Sequence, residues 1–95
     1  MTYEVYIIFS GKLNRYYIGT CANFSQRLDE HNTLAYPNAF TAKGIPWIKF
    51  LLINNLTSQQ AYSIERHIKN MKSRKYIENL ILHPEIIENL RLKYQ

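Results

Sequence analysis

With Cys21 as its single cysteine, the 95-residue chain has no partner for an intrachain disulfide and no thiolate set for a zinc cluster. That scarcity suits a reducing compartment. The three histidines, His31, His67 and His83, lie too far apart for a His-Glu-x-x-His metal motif. Acidic residues are also few: seven Asp and Glu stand against twelve Lys and Arg, leaving a formal charge of +5. Such a balance favours a polyanionic partner over a cationic one. No apolar run approaches the roughly 20 residues needed to cross a bilayer. The segment Thr2 to Phe9 alternates and carries Glu4, unlike a secretory leader. The expectation is a soluble, cytoplasmic protein without a membrane partner, folded as one domain over residues 1–95.

What is present is an ordered series of short elements. Tyr3 to Phe9 is rich in β-branched and aromatic residues and reads as a strand, Ser10 to Asn14 as a turn, and Arg15 to Thr20 as the second arm of a hairpin. Gly19 ends that arm, either for close backbone approach or for a φ value other residues dislike. Asn23 and Gln26 have capping-box spacing at the start of a helix from Phe24 to Asn32. Phe24 and Leu28 share one face of it, Arg27 and His31 a neighbouring one. Thr33 to Pro46 reads as a long loop with a helical turn near Asn38 to Ala42, long enough in so small a domain to suggest a binding element. Trp47 to Ile53, the most apolar run, is expected as a third strand at the sheet centre, stopped by Asn54-Asn55. Thr57 and Gln60 cap the longest helix, Ser58 to Met71, with Ala61, Ile64, Ile68 and Met71 as its core stripe. Further helices are expected over Tyr76 to Leu82 and from Pro84 to Lys93.

A phosphodiester resists attack because the incoming oxygen meets an anion and the leaving oxygen becomes one. Arg27 offers a fixed bidentate cation for that charge. Tyr6 and Tyr17 supply phenols, although an ordinary tyrosine, with a pKa near 10, is a poor base unless a neighbour acts on it. His31 titrates in an easier range and can take a proton or orient a phenol. Glu65, four residues before Lys69, is either a surface ion pair or the lone carboxylate that a magnesium ion with several waters requires. Asp29 and Glu30 read as solvated helix residues. Lys69, Lys72, Arg74 and Lys75 form a basic cluster fit to grip backbone phosphates. Trp47 reads as core and Tyr3 and Tyr16 as packing residues, while Tyr6 and Tyr17 are expected side by side across the hairpin.

Taken in order, Val5-Tyr6-Ile7, Tyr17-Ile18-Gly19, Arg27 with His31, Pro46-Trp47, and Glu65 in a following long helix resemble the GIY-YIG nuclease superfamily. The likeness runs from Tyr3 to Leu82 and is strongest to small stand-alone members related to the GIY-YIG catalytic domain of the excision-repair endonuclease. It implies an α+β fold, a small three-stranded antiparallel sheet flanked by helices, and a metal-dependent endonuclease acting on nucleic acid, with DNA the expected partner and DNA repair one setting. By the same resemblance Tyr6, Tyr17, Arg27, His31 and Glu65 are catalytic, Glu65 holds Mg2+ or Mn2+, and Lys69 and Lys72 match basic residues that follow the glutamate; together with Arg74 and Lys75 they are expected to bind nucleic acid. A non-catalytic nucleic-acid-binding module of the same fold is the alternative. The first tripeptide departs from its namesake, reading Glu4-Val5-Tyr6, and Thr20 stands where repair-enzyme relatives can carry lysine.

Overall fold

Strand β1 (Tyr3–Ser10) lies in the middle of the sheet in the computed structural model, which describes residues 1–33 and 40–95. It pairs antiparallel with β2 (Arg15–Cys21) on one side and with β3 (Trp47–Leu56) on the other. Val5, Tyr6, Ile7 and Ile8 are all buried in succession, which happens when both faces of a strand are covered. The third strand is therefore an edge and not the centre expected from its apolar run, and Ile48 on it remains exposed. Composition alone misleads here, because a strand can owe its apolar residues to one covered face and to its ends.

The third strand also continues past Asn54-Asn55. Tyr3 pairs with Leu56 but Val5 with Ile53, so one extra residue is absorbed there as a bulge, with Asn55 in the left-handed region at φ 59°. The asparagines bend the strand instead of stopping it, and Leu56 returns to the core.

Helices cover the two faces differently. On one, α2 (Ser58–Met71) sets Ala61, Ile64 and Ile68 against Val5, Ile7 and Ile53, and α3 (Arg74–Leu82) and α4 (Pro84–Lys93) add Ile77, Leu80 and Leu90. Met71, expected in this stripe, is exposed at the end of the helix. The capping box of α2 is complete: Thr57 Oγ1 accepts from Gln60 N at 3.1 Å, and Gln60 Oε1 accepts from Thr57 N. The other face carries α1 (Phe24–Asn32), whose Phe24 and Leu28 pack on Tyr6, Ile8 and Trp47.

Only half of the box expected at α1 forms. Asn23 Oδ1 accepts from Gln26 N, but the Gln26 side chain turns to Glu30. The Phe24 amide donates instead to Glu4 Oε1 at 3.0 Å. The residue that departs from glycine in the first tripeptide thus holds the start of α1, where a carboxylate also meets the positive end of the helix dipole.

The α1 helix is tied to β3 by Asn32, whose side chain donates to Trp47 O at 2.9 Å and accepts from Trp47 N at 2.6 Å. A 3₁₀ helix, Phe40–Gly44, precedes the strand, and Trp47 Nε1 donates to Thr41 O within it. The turn expected over Asn38 to Ala42 falls partly outside the described residues. Among the described residues no helix is long and apolar enough to cross a membrane.

Candidate active site

The floor of the site is Gly19. It lies opposite Tyr6 in the β1–β2 register, and the phenol is folded across it. A Cβ at this position would stand 2.5 Å from Tyr6 Cζ and closer still to the hydroxyl, so any side chain would displace the ring. No glycine among the described residues has a positive φ, which makes close approach the reason for this one.

Tyr17 faces Ile8 in that register, leaving the two tyrosines as diagonal neighbours, not opposite ones. Their ring centroids are 6.4 Å apart. Diagonal residues share a face of the sheet, so both phenols still point toward α1.

From α1, His31 comes down between them. Its Nε2 is 3.0 Å from Tyr6 Oη, and its ring meets that of Tyr17 edge-on at 5.3 Å between centroids. Burial is the main reason the imidazole is held below its ordinary pKa of 6.5; the Arg27 cation adds to this and Glu30 opposes it. A neutral ring can accept the phenol's hydrogen bond. Burial likewise drives the Tyr6 phenol well above its ordinary value, with Tyr17 adding to the effect and Arg27 partly offsetting it. Tyr6 and His31 are thus two neutral groups sharing one hydrogen bond, with a guanidinium close enough to act on both.

Arg27 sits one turn before His31, and its Nε pairs with Glu30 Oε1 at 3.2 Å. Glu30, expected as a solvated helix residue, stays partly exposed and forms an i,i+3 ion pair with that guanidinium. Cys21, also on this face, is buried, and burial raises its thiol pKa, which argues against a nucleophilic role.

Glu65 reaches the site from the other side of the sheet. Its Oε1 accepts a hydrogen bond from Thr20 Oγ1, and its Oε2 is 2.6 Å from Lys69 Nζ. Thr20 follows Gly19 directly, so alternation along β2 turns it toward α2 while the glycine supports Tyr6. Tyr6, Tyr17, Arg27 and His31 are gathered on one face, and Glu65 stands across edge strand β2 from them. Nothing in the sequence marked Thr20 as a partner of Glu65, since the two are 45 residues apart and meet only through packing of α2 on the sheet.

Of the basic cluster, Lys69, Lys72 and Arg74 line a cavity of about 630 Å³ between β2 and the α2–α3 junction, while Lys75 is an exposed residue of α3. Arg74 is already engaged: its guanidinium donates to Asn14 O and Asn14 Oδ1 at 2.9 and 2.8 Å and lies over Tyr16 and Phe9. Among the described residues no group of three or more His, Cys, Asp and Glu side chains gathers to hold a metal ion.

A three-stranded antiparallel sheet flanked by helices, with two phenols, a guanidinium and an imidazole on one face, is the α+β frame of a GIY-YIG-like domain. The chain belongs to that family: residues 2–77 match the GIY-YIG catalytic domain. It is also 33% identical over 92 residues to an uncharacterized protein of Acanthamoeba polyphaga mimivirus, an alignment covering 94% of this chain and 55% of the viral protein. The chain therefore spans about half of that relative. No solved structure matches it significantly. Membership of the family suggests nuclease activity.

Proposed function

We propose that the chain, acting as one domain over residues 1–95, is a divalent-metal-dependent endonuclease that hydrolyses phosphodiester bonds in nucleic acid, DNA being the expected substrate. The observation that supports this most is the Tyr6 Oη–His31 Nε2 hydrogen bond beside Arg27. A phenol with a raised pKa cannot ionise by itself at neutral pH. It can take a proton from an attacking water while passing its own to His31, so no free phenolate is formed. The water oxygen bonds to phosphorus as the bond to the leaving oxygen breaks, and the proton held by His31 passes to solvent, from which the leaving oxygen takes one. Arg27 offsets charge growing on the phosphate oxygens and, by its own field, keeps the imidazolium short-lived. Tyr17, edge-on to His31, steadies the ring.

Glu65 is the residue that would hold Mg2+ or Mn2+, and it fits the need of a hard cation that takes one carboxylate and several waters. Its half-buried side chain is set by Thr20 and Lys69, with lone pairs on both oxygens still to offer. When bound, such a cation supplies charge neutralisation at the scissile phosphate and the leaving oxygen.

A cleavage assay with plasmid, single-stranded and branched DNA and with RNA, each with magnesium and with chelator, tests the proposal. Metal-dependent products that vanish in Arg27→Ala and Glu65→Ala while binding persists are expected. Both Glu65 oxygens already have protein partners, and this favours a second reading, a nucleic-acid-binding module that does not cut. Binding without cleavage by the wild-type chain on every substrate would select that reading.

A further inference from the structure

The cavity between β2 and the α2–α3 junction has two chemically distinct parts. Its floor is made by Ile18, Ile68 and Ile77, and its rim by the cations Arg15, Lys69, Lys72 and Arg74. None of the described residues lining it is acidic. At about 630 Å³ it is an open groove with room for a small organic group. Gripping the phosphates of an intact duplex requires surface cations only, and an apolar floor is useless to a phosphate, which loses hydration there without compensation. A floor of this kind fits a flat, weakly polar body attached to an anion.

From this division we infer that the cavity receives one unpaired nucleotide of the substrate strand, its base against the three isoleucines and its phosphate between Lys69 and Lys72. The inference rests on the nuclease reading and deepens it by naming a substrate class: nucleic acid with an unstacked residue beside the cleavage point. The cavity adjoins that point, because Lys69 lines it and also pairs with Glu65, and Tyr17 lines it while meeting His31. The base packs on aliphatic side chains and not on Tyr16, whose ring is already met by Phe9, Phe50 and the Arg74 guanidinium. Lys72 makes no ion pair or side-chain hydrogen bond among the described residues. It sits at φ 49°, where glycine would be the easier choice.

The test is fluorescence anisotropy with the full wild-type chain in chelator, so that binding is read without cleavage. Three end-labelled probes are compared: an intact duplex, the same duplex with a one-nucleotide bulge, and one whose bulge is abasic. The bulged duplex should bind about tenfold tighter than the intact one, the gain from withdrawing roughly 50–60 Å² of apolar base surface from water, and the abasic bulge should lose that gain. Ile18→Phe, which fills the cavity from the edge strand, should abolish the preference at unchanged duplex affinity. Lys72→Gly, suited to its backbone conformation, should weaken all three probes and lower the salt slope by about one. Equal binding of the three probes overturns the inference, as does a bulge preference that the abasic probe retains. Tight capture of a free deoxynucleoside monophosphate with no bulge preference also overturns it, by making the cavity a small-molecule site. Metal-dependent cleavage in the separate assay would leave the nuclease reading standing in each of these cases.

Discussion

Tyr6 and His31 are 25 residues apart in sequence and 3.0 Å apart at Oη and Nε2, both buried where α1 packs on the central strand. Burial moves the two groups in opposite directions, the phenol up and the imidazole down, so each keeps the neutral form that lets one donate and the other accept. Tyr6→Phe preserves the ring packing against Phe24 and removes only the donor. Single-turnover cleavage is expected to slow by roughly 10²–10⁴-fold, the usual contribution of a placed proton-transfer group. Stability should fall by only about 1 kcal/mol, read from denaturant unfolding. A variant cutting at the wild-type rate would remove Tyr6 from the proton path.

The same pair sets a pH dependence of stability. His31 is neutral in the fold down to a lower pH than in the unfolded chain, so below about 6.5 the unfolded state binds more protons. Its contribution is present above that value and is lost as pH falls toward the folded pKa. Tyr6 acts at the other end: with its folded pKa raised, its contribution holds below about 10 and is lost as pH rises beyond it. His67, lowered by burial and by Lys93, adds to the acid limb. Unfolding measured across pH in wild type, His67→Asn and His31→Asn should show a shallower acid limb in each variant, and an unchanged limb in His31→Asn would contradict the assignment.

Gly19→Ala should be costly without any change of charge or hydrogen-bonding group. The new methyl occupies the place of the Tyr6 phenol, and overpacking of this kind typically costs about 1–3 kcal/mol. Cleavage should fall at least as far as in Tyr6→Phe, because the ring itself must move. Gly11→Ala, with open space around it, is the matched control and should leave both stability and rate intact.

Thr20→Val keeps the shape of the side chain and deletes the hydroxyl that orients Glu65. Outer-shell partners of this type commonly change metal affinity or activity by about 10–100-fold. Cleavage measured over a magnesium titration should require more metal at half-saturation, with duplex binding in chelator unaltered. A curve identical to wild type would separate Thr20 from the metal-binding role proposed for Glu65.

Arg74→Ala distinguishes a clamp from a phosphate contact. The guanidinium ties the start of α3 to the β1–β2 turn through Asn14, whose own φ of 54° is in the left-handed region, and covers Tyr16. Its loss is expected to cost about 1–3 kcal/mol of stability. The salt slope of nucleic-acid binding should change less than in Lys72→Gly; an equal change in slope with no loss of stability would reverse that ranking.

Much of the frame was legible because it depends on neighbours in sequence. The capping box at Thr57 and Gln60, the stripe of Ala61, Ile64 and Ile68, and Pro84 at the start of α4 are local patterns, and the structure bears them out. Met71 kept the helical spacing but fell at the last residue of the helix, where it is exposed. The box at Asn23 is half-formed for another reason: the Gln26 side chain donates to Glu30 on the next turn and does not reach back to the cap.

Periodicity and caps placed most of the strands and helices of this chain, since each is a choice made over a few successive residues; the run of β3 past Asn54-Asn55 is the exception. Only the packed molecule decided that β1 and not β3 takes the centre, that Tyr6 meets His31, and that Glu65 meets Thr20. Those outcomes depend on which surfaces remain to be covered once the helices close over both faces of the sheet, a condition on the whole chain that no short segment carries.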